Sequence, residues 1–146
     1  MDGSSLYDRD FYAWANEQAS LVRARNFSAL DIGNLVEEIE SIARREKREL
    51  QGNLSTLLRD LLVWTRLTGV RSGASQATIK LDRRRIEYLL RDSPSLSDDL
   101  DDVLIDAYYI ARLQAAVRTG LGEDAFPADC PWSFAEMMDE SFWPDA

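Results

Sequence analysis

The spacing of apolar residues is the feature that most restricts the fold of this chain. Between positions 32 and 64, apolar side chains recur at intervals of three and four, which places them on one face of an α-helix. Only four prolines and seven glycines interrupt the 146 residues, and no segment alternates apolar and polar residues as a half-buried strand does. The sequence therefore predicts an all-α fold, a bundle of about four to five helices.

The first two predicted helices occupy the N-terminal half. Asp8 or Asp10 caps a helix that runs to about Ala24. Asp31 caps the second predicted helix. From there the chain forms either one long helix of about 35 residues or two helices separated by a break near Gly52. The uniform helix propensity of this stretch favours one helix. On both helices the spaced apolar residues are expected to face the core.

Two more helices and an aromatic tail follow. The third helix, about 75–91, is expected to expose Lys80, Arg83, Arg84 and Arg91. The fourth helix is expected to begin at Ser97, which serves as its N-cap. From Val103 to Val117 this helix is apolar on nearly all sides, which is typical of a buried helix. A short helix from about Ser133 to Asp139 is expected to dock through neighbouring aromatic residues. We expect one domain, 1–146, with a docked acidic tail.

Charge is distributed unevenly along the chain. The net charge is −9, but residues 1–91 hold 15 basic and 13 acidic residues, whereas residues 92–146 hold 2 basic and 13 acidic residues. This asymmetry predicts pairing within the chain, self-association or a protein partner, including a basic one. The overall negative charge argues against a nucleic-acid binder, because phosphate contacts need clustered positive charge.

The chain lacks the residues of the common catalytic sites. It has no histidine and a single cysteine, Cys130, and it carries no glycine-rich phosphate loop or paired-cysteine zinc motif. We therefore predict no catalytic residue and no cofactor. The first residues do not form a secretion signal, and the longest apolar run, Ala107 to Ala111, is too short for a membrane span. The expected location is the cytoplasm, where a lone thiol stays reduced.

Acidic side chains are the one remaining candidate for chemistry. If the second and fourth helices face each other, carboxylates could hold Mg²⁺ or Mn²⁺. The candidates are Glu37, Glu38 and Glu40 with Asp102 and Asp106, and Asp101 beside them. They match half of the carboxylate pattern of all-helical nucleotide pyrophosphatases, so the alternative function is a metal-dependent hydrolase of nucleotide-type substrates. Acidic residues near the N-terminus of a helix are also expected without a metal, because the positive end of the helix dipole stabilises negative charge there.

A basic cluster, Lys80, Arg83, Arg84 and Arg85, lies on the third helix. This cluster could bind phosphates. A simpler explanation is that it lies on a helix face that meets either the acidic C-terminal third of the chain or solvent. Trp14 and Trp64 lie on apolar stripes and are expected in the core.

Several motifs in order along the chain are similar to those of one bacterial family. They include Tyr7-x-x-Asp10-Phe-Tyr-x-Trp14, Leu30-Asp-Ile-x-Asn-Leu-Val-Glu-Glu-Ile-Glu40, Leu61-Leu62-x-Trp64, Ser93-Pro-Ser-Leu96 and Phe126-Pro127-x-x-Cys130-Pro131. The chain resembles the family called "domain of unknown function 29". The resemblance implies an all-helical bacterial protein without an established activity. Asp60 and Ser75 depart from it, because the family often has histidine and tryptophan at these positions.

These observations favour a protein that acts through the shape and charge of its helices. The leading hypothesis is a non-enzymatic protein-interaction or regulatory domain.

Overall fold

The computed structural model describes residues 3–145 and is all-α. It is 78% helical and has no strand in that range, which confirms the predicted fold class. The α-helices are α1 (Leu6–Arg9), α2 (Phe11–Arg23), α3 (Ile32–Arg66), α4 (Gly73–Asp92), α5 (Leu100–Thr119) and α6 (Phe134–Met138). Short 3-10 turns connect most of them. None of the described helices combines the length and hydropathy needed to cross a membrane.

The long helix α3 is continuous, so the alternative of a break near Gly52 is wrong. Residues 44–49 contain no apolar side chain. Ion pairs support the turns that lead into this segment, because Arg44 lies 2.8 Å from Glu37 and 3.8 Å from Glu40. Such exposed pairs each stabilise a helix by about 0.2–0.5 kcal/mol.

The chain divides into two compact units, Met1–Arg45 and Glu46–Ala146. We call them the N-terminal unit and the C-terminal unit and describe each by itself. A single domain over the whole chain stays a prediction.

Helix caps fix the two helices of the N-terminal unit. Asp10 caps α2 by accepting a hydrogen bond from the backbone N–H of Ala13 at 3.0 Å. Asp31, just before α3, accepts hydrogen bonds from the Trp14 indole at 3.0 Å and the Asn34 side chain at 2.8 Å. These bonds lower the pKa of Asp31, because they favour its charged form. They also join α2 to the start of α3.

The core of the C-terminal unit is built by α3, α4 and α5. The later half of α3 contributes the largest share, because its leucines face inward along one stripe. Its fully or nearly fully buried residues are Leu50, Leu54, Leu57, Leu58, Leu61 and Leu62.

Helix α5 is buried along one face. That face holds Val103, Ala107, Tyr108, Ala111 and Ala115, whereas the opposite face leaves Ile105, Tyr109 and Val117 exposed. The predicted cap at Ser97 is wrong. Ser97 lies in a 3-10 turn, Pro94–Asp99, and its hydroxyl donates to the Pro94 carbonyl at 2.6 Å, so α5 begins only at Leu100.

The aromatic tail packs on α4 through Arg83, which the sequence predicted to be exposed. This prediction is wrong, because Arg83 is only 1% exposed. Its Nε donates to the carbonyl of Met137 at 2.8 Å, and a terminal nitrogen donates to that of Phe142 at 2.7 Å. Its guanidinium lies 5.3 Å from the centre of the Trp143 ring. Arg83 therefore fixes the tail at three residues.

Candidate functional site

The N-terminal unit exposes a large apolar surface. Four residues of α3, at intervals of four, three and three, lie on one face of that helix and are all about half exposed or more. Phe11 and Val22 extend this surface onto α2. We call the six residues the apolar face: Phe11, Val22, Ile32, Val36, Ile39 and Ile42.

Four of these six residues, Phe11, Val22, Ile39 and Ile42, line a groove of about 550 Å³. Its walls are mainly apolar and come from α2 and α3, and only Arg23 and Glu38 among its lining residues are charged. Glu38 accepts a hydrogen bond from the Tyr7 hydroxyl, which raises the pKa of Tyr7 to about 12. The Tyr7 ring packs in turn against Phe11 and Trp14, with ring centres 5.7 and 4.8 Å away.

The apolar face differs from the buried stripe that the sequence predicted. In the N-terminal unit as described, only Trp14 and Gln18 are buried. The helical spacing on α2 and α3 is as predicted, but the side chains at these positions are left exposed within a single chain. The prediction that Trp14 lies in the core is confirmed, and so is that for Trp64, which is 8% exposed.

Each predicted metal ligand is either exposed on a helix surface or already bonded to another side chain. Glu37 and Glu40 pair with Arg44, and Glu38 bonds to Tyr7. Asp102 and Asp106, like Asp101, are exposed on α5. Over residues 3–145 no three acidic or cysteine side chains form a group that could hold a metal ion. The metal-dependent hydrolase stays an untested prediction.

The basic cluster of α4 meets acidic and carbonyl groups. Arg84 lies 3.1 Å from Glu87 and 3.6 Å from Glu140 of the tail. Arg85 lies 3.7 Å from Asp82. Arg83 and Arg84, two of the four basic residues of this cluster, therefore contact the C-terminal third of the chain. This agrees with the explanation that the cluster faces the acidic C-terminal third rather than a phosphate ligand.

The C-terminal unit contains a separate cleft of about 360 Å³ between α3, α4 and the end of α5. Asp60 lies on its wall between two arginines: the Arg59 Nε is 2.9 Å away and an Arg118 nitrogen is 3.8 Å away. The other walls carry apolar side chains and two hydroxyls. We call this space the Asp60 cleft; its main lining residues are Arg59, Asp60, Val63, Trp64, Leu67, Val70, Ser75, Thr78, Ile79 and Arg118.

A second acidic side chain, Asp82, lies behind Asp60. It is only 2% exposed. Burial, the negative charge of Asp60 and a hydrogen bond with Asp60 raise the pKa of Asp82 to about 6. The Oδ2 atoms of both residues have no protein N–H or O–H donor among the described residues. Burial and the neighbouring negative charge therefore favour the protonated form of Asp82 below about pH 6.

The comparison with family models gives a match. The model described as "Domain of unknown function DUF29" matches residues 6–143, nearly the whole chain. The chain belongs to the DUF29 family. Neither the comparison with curated proteins nor that with solved structures gave a match. The description of DUF29 names no activity, so the function is argued from the geometry of this chain.

Asp60 and Ser75, the two positions at which the resemblance suggests other residues in the family, both line the Asp60 cleft. The sequence did not predict the cleft or Asp82. A signal was present, because Asp82 and Arg83 lie between Ile79 and Ile86 on the apolar stripe of α4, where a charged residue needs a buried partner.

Cys130 is half-buried, and burial raises the pKa of its thiol. The thiol lies 3.4 Å from the carbonyl of Trp132. A raised pKa disfavours the reactive thiolate. These surroundings favour a structural role for Cys130.

Proposed function

We propose that this protein is a non-enzymatic interaction domain that forms a homodimer through the apolar face of its N-terminal unit. The observation that carries this proposal is the concentration of exposed apolar side chains. Of the 15 large hydrophobic residues that are exposed in the described chain, eight lie in the 45-residue N-terminal unit. A concentration of exposed apolar side chains marks a binding surface more often than isolated exposed residues do.

The size of the apolar face suits a dimer. Its members range from 47% exposed for Val36 to 65% for Ile39. At roughly 100 Å² for each of six residues, two copies would bury about 1,200 Å², which is the lower end of specific protein interfaces. At about 25 cal/mol per Å² this area corresponds to about 30 kcal/mol, much of which is offset by the loss of translational and rotational freedom and by side-chain ordering on association. We therefore expect a dimer of moderate affinity.

The charges favour a second copy of the chain over a strongly basic partner. The groove carries one positive and one negative residue, Arg23 and Glu38. In a two-fold symmetric dimer the same surface of both copies forms the interface. A positive residue of one copy can therefore face a negative residue of the other, so a surface with one charge of each sign can be self-complementary. Moreover, part of the acidic C-terminal third already pairs within the chain, as in Lys47–Asp99 at 3.8 Å and Arg112–Asp124 at 3.7 Å.

Sedimentation velocity over about a hundredfold range of protein concentration tests this function. The wild-type chain is expected to shift from monomer to dimer as concentration rises. Ile39→Asp/Ile42→Asp is expected to weaken dimerisation at least about a hundredfold, because two large apolar contacts are lost and charge is introduced.

The matched control is Ile105→Asp/Val117→Asp. These side chains are 69% and 85% exposed, but they lie on α5 in the C-terminal unit. This variant should dimerise as the wild type does. A wild type that stays monomeric throughout, or equal effects of the two double variants, would contradict the proposed function.

A further inference from the structure

Helix α5 presents a second exposed apolar surface, on the face opposite the one that it buries in the C-terminal unit. Ile105, Tyr109 and Val117 are exposed, and Leu113 is half-buried. These four residues follow one another at intervals of four, so they form a single row along the helix. We call this row the α5 ridge. Its length is about 18 Å, at about 1.5 Å per residue.

The α5 ridge has the form of a surface that packs against another α-helix. Side chains at intervals of four form ridges on a helix, and these ridges fit into the grooves of a second helix. A row of about 18 Å corresponds to roughly three turns of a partner helix. The expected ligand is therefore a helical segment of a protein.

The charged side chains at the start of the ridge are acidic. Asp101, Asp102 and Asp106 are exposed in the first two turns of α5. Within residues 3–145 none of the three forms an ion pair. Their negative charge is thus available to a partner.

The basic residues of α5 bond elsewhere. Arg112 donates to the carbonyl of Glu123 at 3.1 Å and lies 3.7 Å from Asp124. Arg118 lies 3.8 Å from Asp60 of α3. The first half of the ridge therefore carries uncompensated negative charge. This charge attracts a basic partner and disfavours a second copy of the same surface, because like charges would meet.

We infer that the α5 ridge binds a basic amphipathic helix of another protein. The apolar side chains of that helix, at intervals of three and four, pack against the ridge. Its lysine or arginine residues lie opposite Asp101, Asp102 and Asp106. This interface is separate from the apolar face, because all of its residues belong to the C-terminal unit.

Fluorescence anisotropy with matched labelled peptides tests this inference. The probes are alanine-based peptides of about 18 residues, long enough to form a helix in water. Each carries leucines at intervals of four, and beside them at one end lysines in the first peptide, glutamines in the second and glutamates in the third. The lysine peptide is expected to bind with a dissociation constant of about 100 μM or below, at least about tenfold tighter than the glutamine peptide. The glutamate peptide is expected not to bind.

Two double variants locate the binding surface. Asp102→Asn/Asp106→Asn should weaken binding of the lysine peptide about tenfold and reduce its dependence on salt concentration, because the attracting charges are removed. Ile105→Gln/Val117→Gln should weaken binding by about the same factor without changing the charge, because two apolar contacts are lost.

The matched control is Ile39→Gln/Ile42→Gln, which makes the same change on the apolar face of the N-terminal unit. This variant should bind the lysine peptide as the wild type does, whether or not it still dimerises. Its behaviour separates the α5 ridge from the proposed dimer interface.

Thermal unfolding of each variant checks that it is folded before titration. The inference is wrong if the lysine peptide does not bind to the folded wild type, if the glutamate peptide binds equally well, or if the control loses as much binding as Ile105→Gln/Val117→Gln. Sedimentation velocity in which Ile105→Gln/Val117→Gln alone prevents dimerisation would also overturn it, because a second copy would then occupy the ridge.

Discussion

At the scale of single residues, the acidic pair Asp60–Asp82 has the clearest consequence for stability. The pKa of Asp82 is raised to about 6 from its ordinary value of 3.8, first by burial and then by the charge of Asp60. The folded protein therefore holds a proton between these two pH values that the unfolded chain has released. The contribution of Asp82 to stability is complete below pH 3.8 and is lost as the pH rises through about 6.

Asp82→Asn is expected to remove this loss, because an amide can donate a hydrogen bond to Asp60 at any pH. The free energy of unfolding of the variant, relative to the wild type, should rise by roughly 2–3 kcal/mol between about pH 4 and about pH 7. Urea unfolding at a series of pH values measures this difference. The control is Asp106→Asn, at an exposed position on α5. If the difference in unfolding free energy between Asp82→Asn and the wild type did not change with pH, Asp82 would not be the group with the raised pKa.

Glycine at position 52 offers a second test at this scale. Gly52 lies in the middle of α3, and a Cβ added there would meet no atom within 4 Å. Gly52→Ala is therefore expected to stabilise the protein by about 1 kcal/mol. Gly120 is the opposite case, because its φ of +73° at the end of α5 is unfavourable for alanine. Thermal unfolding should show a higher midpoint for Gly52→Ala and a lower one for Gly120→Ala.

At the scale of elements, Arg83 connects α4 with the tail. Arg83→Met leaves two tail carbonyls without their donor and is expected to destabilise the protein by roughly 2–4 kcal/mol. Limited proteolysis should then cleave near α6 earlier than in the wild type. Arg84→Met, which removes only exposed ion pairs, should change stability by less than about 1 kcal/mol. Equal effects of the two substitutions would show that Arg83 does not hold the tail.

The elements themselves follow from local sequence rules, whereas their surroundings do not. Apolar spacing and the caps at Asp10 and Asp31 are local signals, and they predicted α2 and α3 with nearly the observed bounds. The burial of Arg83 and Asp82 depends on groups far along the chain, Phe142 and Asp60. Helical periodicity of α4 alone cannot supply those partners, so Arg83 was expected in solvent.

At the scale of the whole molecule, the central feature is an apolar face with no covering element in the N-terminal unit. Apolar spacing shows which residues share a face of a helix, but it does not distinguish a face covered by the same chain from one covered by another copy. For this reason the sequence predicted the stripe from Ile32 to Ile42 and assigned it to the core, whereas the exposure of these residues in the structure is what supports the proposed interface.

Hydrogen–deuterium exchange at low and high protein concentration tests this claim most directly, because it reports both association and its location. We expect amides of residues 11–23 and 32–45 to become more protected as concentration rises, while residues 46–145 exchange at unchanged rates. Exchange that is independent of concentration in α2 and the first half of α3, or protection that rises only in the C-terminal unit, would contradict self-association through the apolar face.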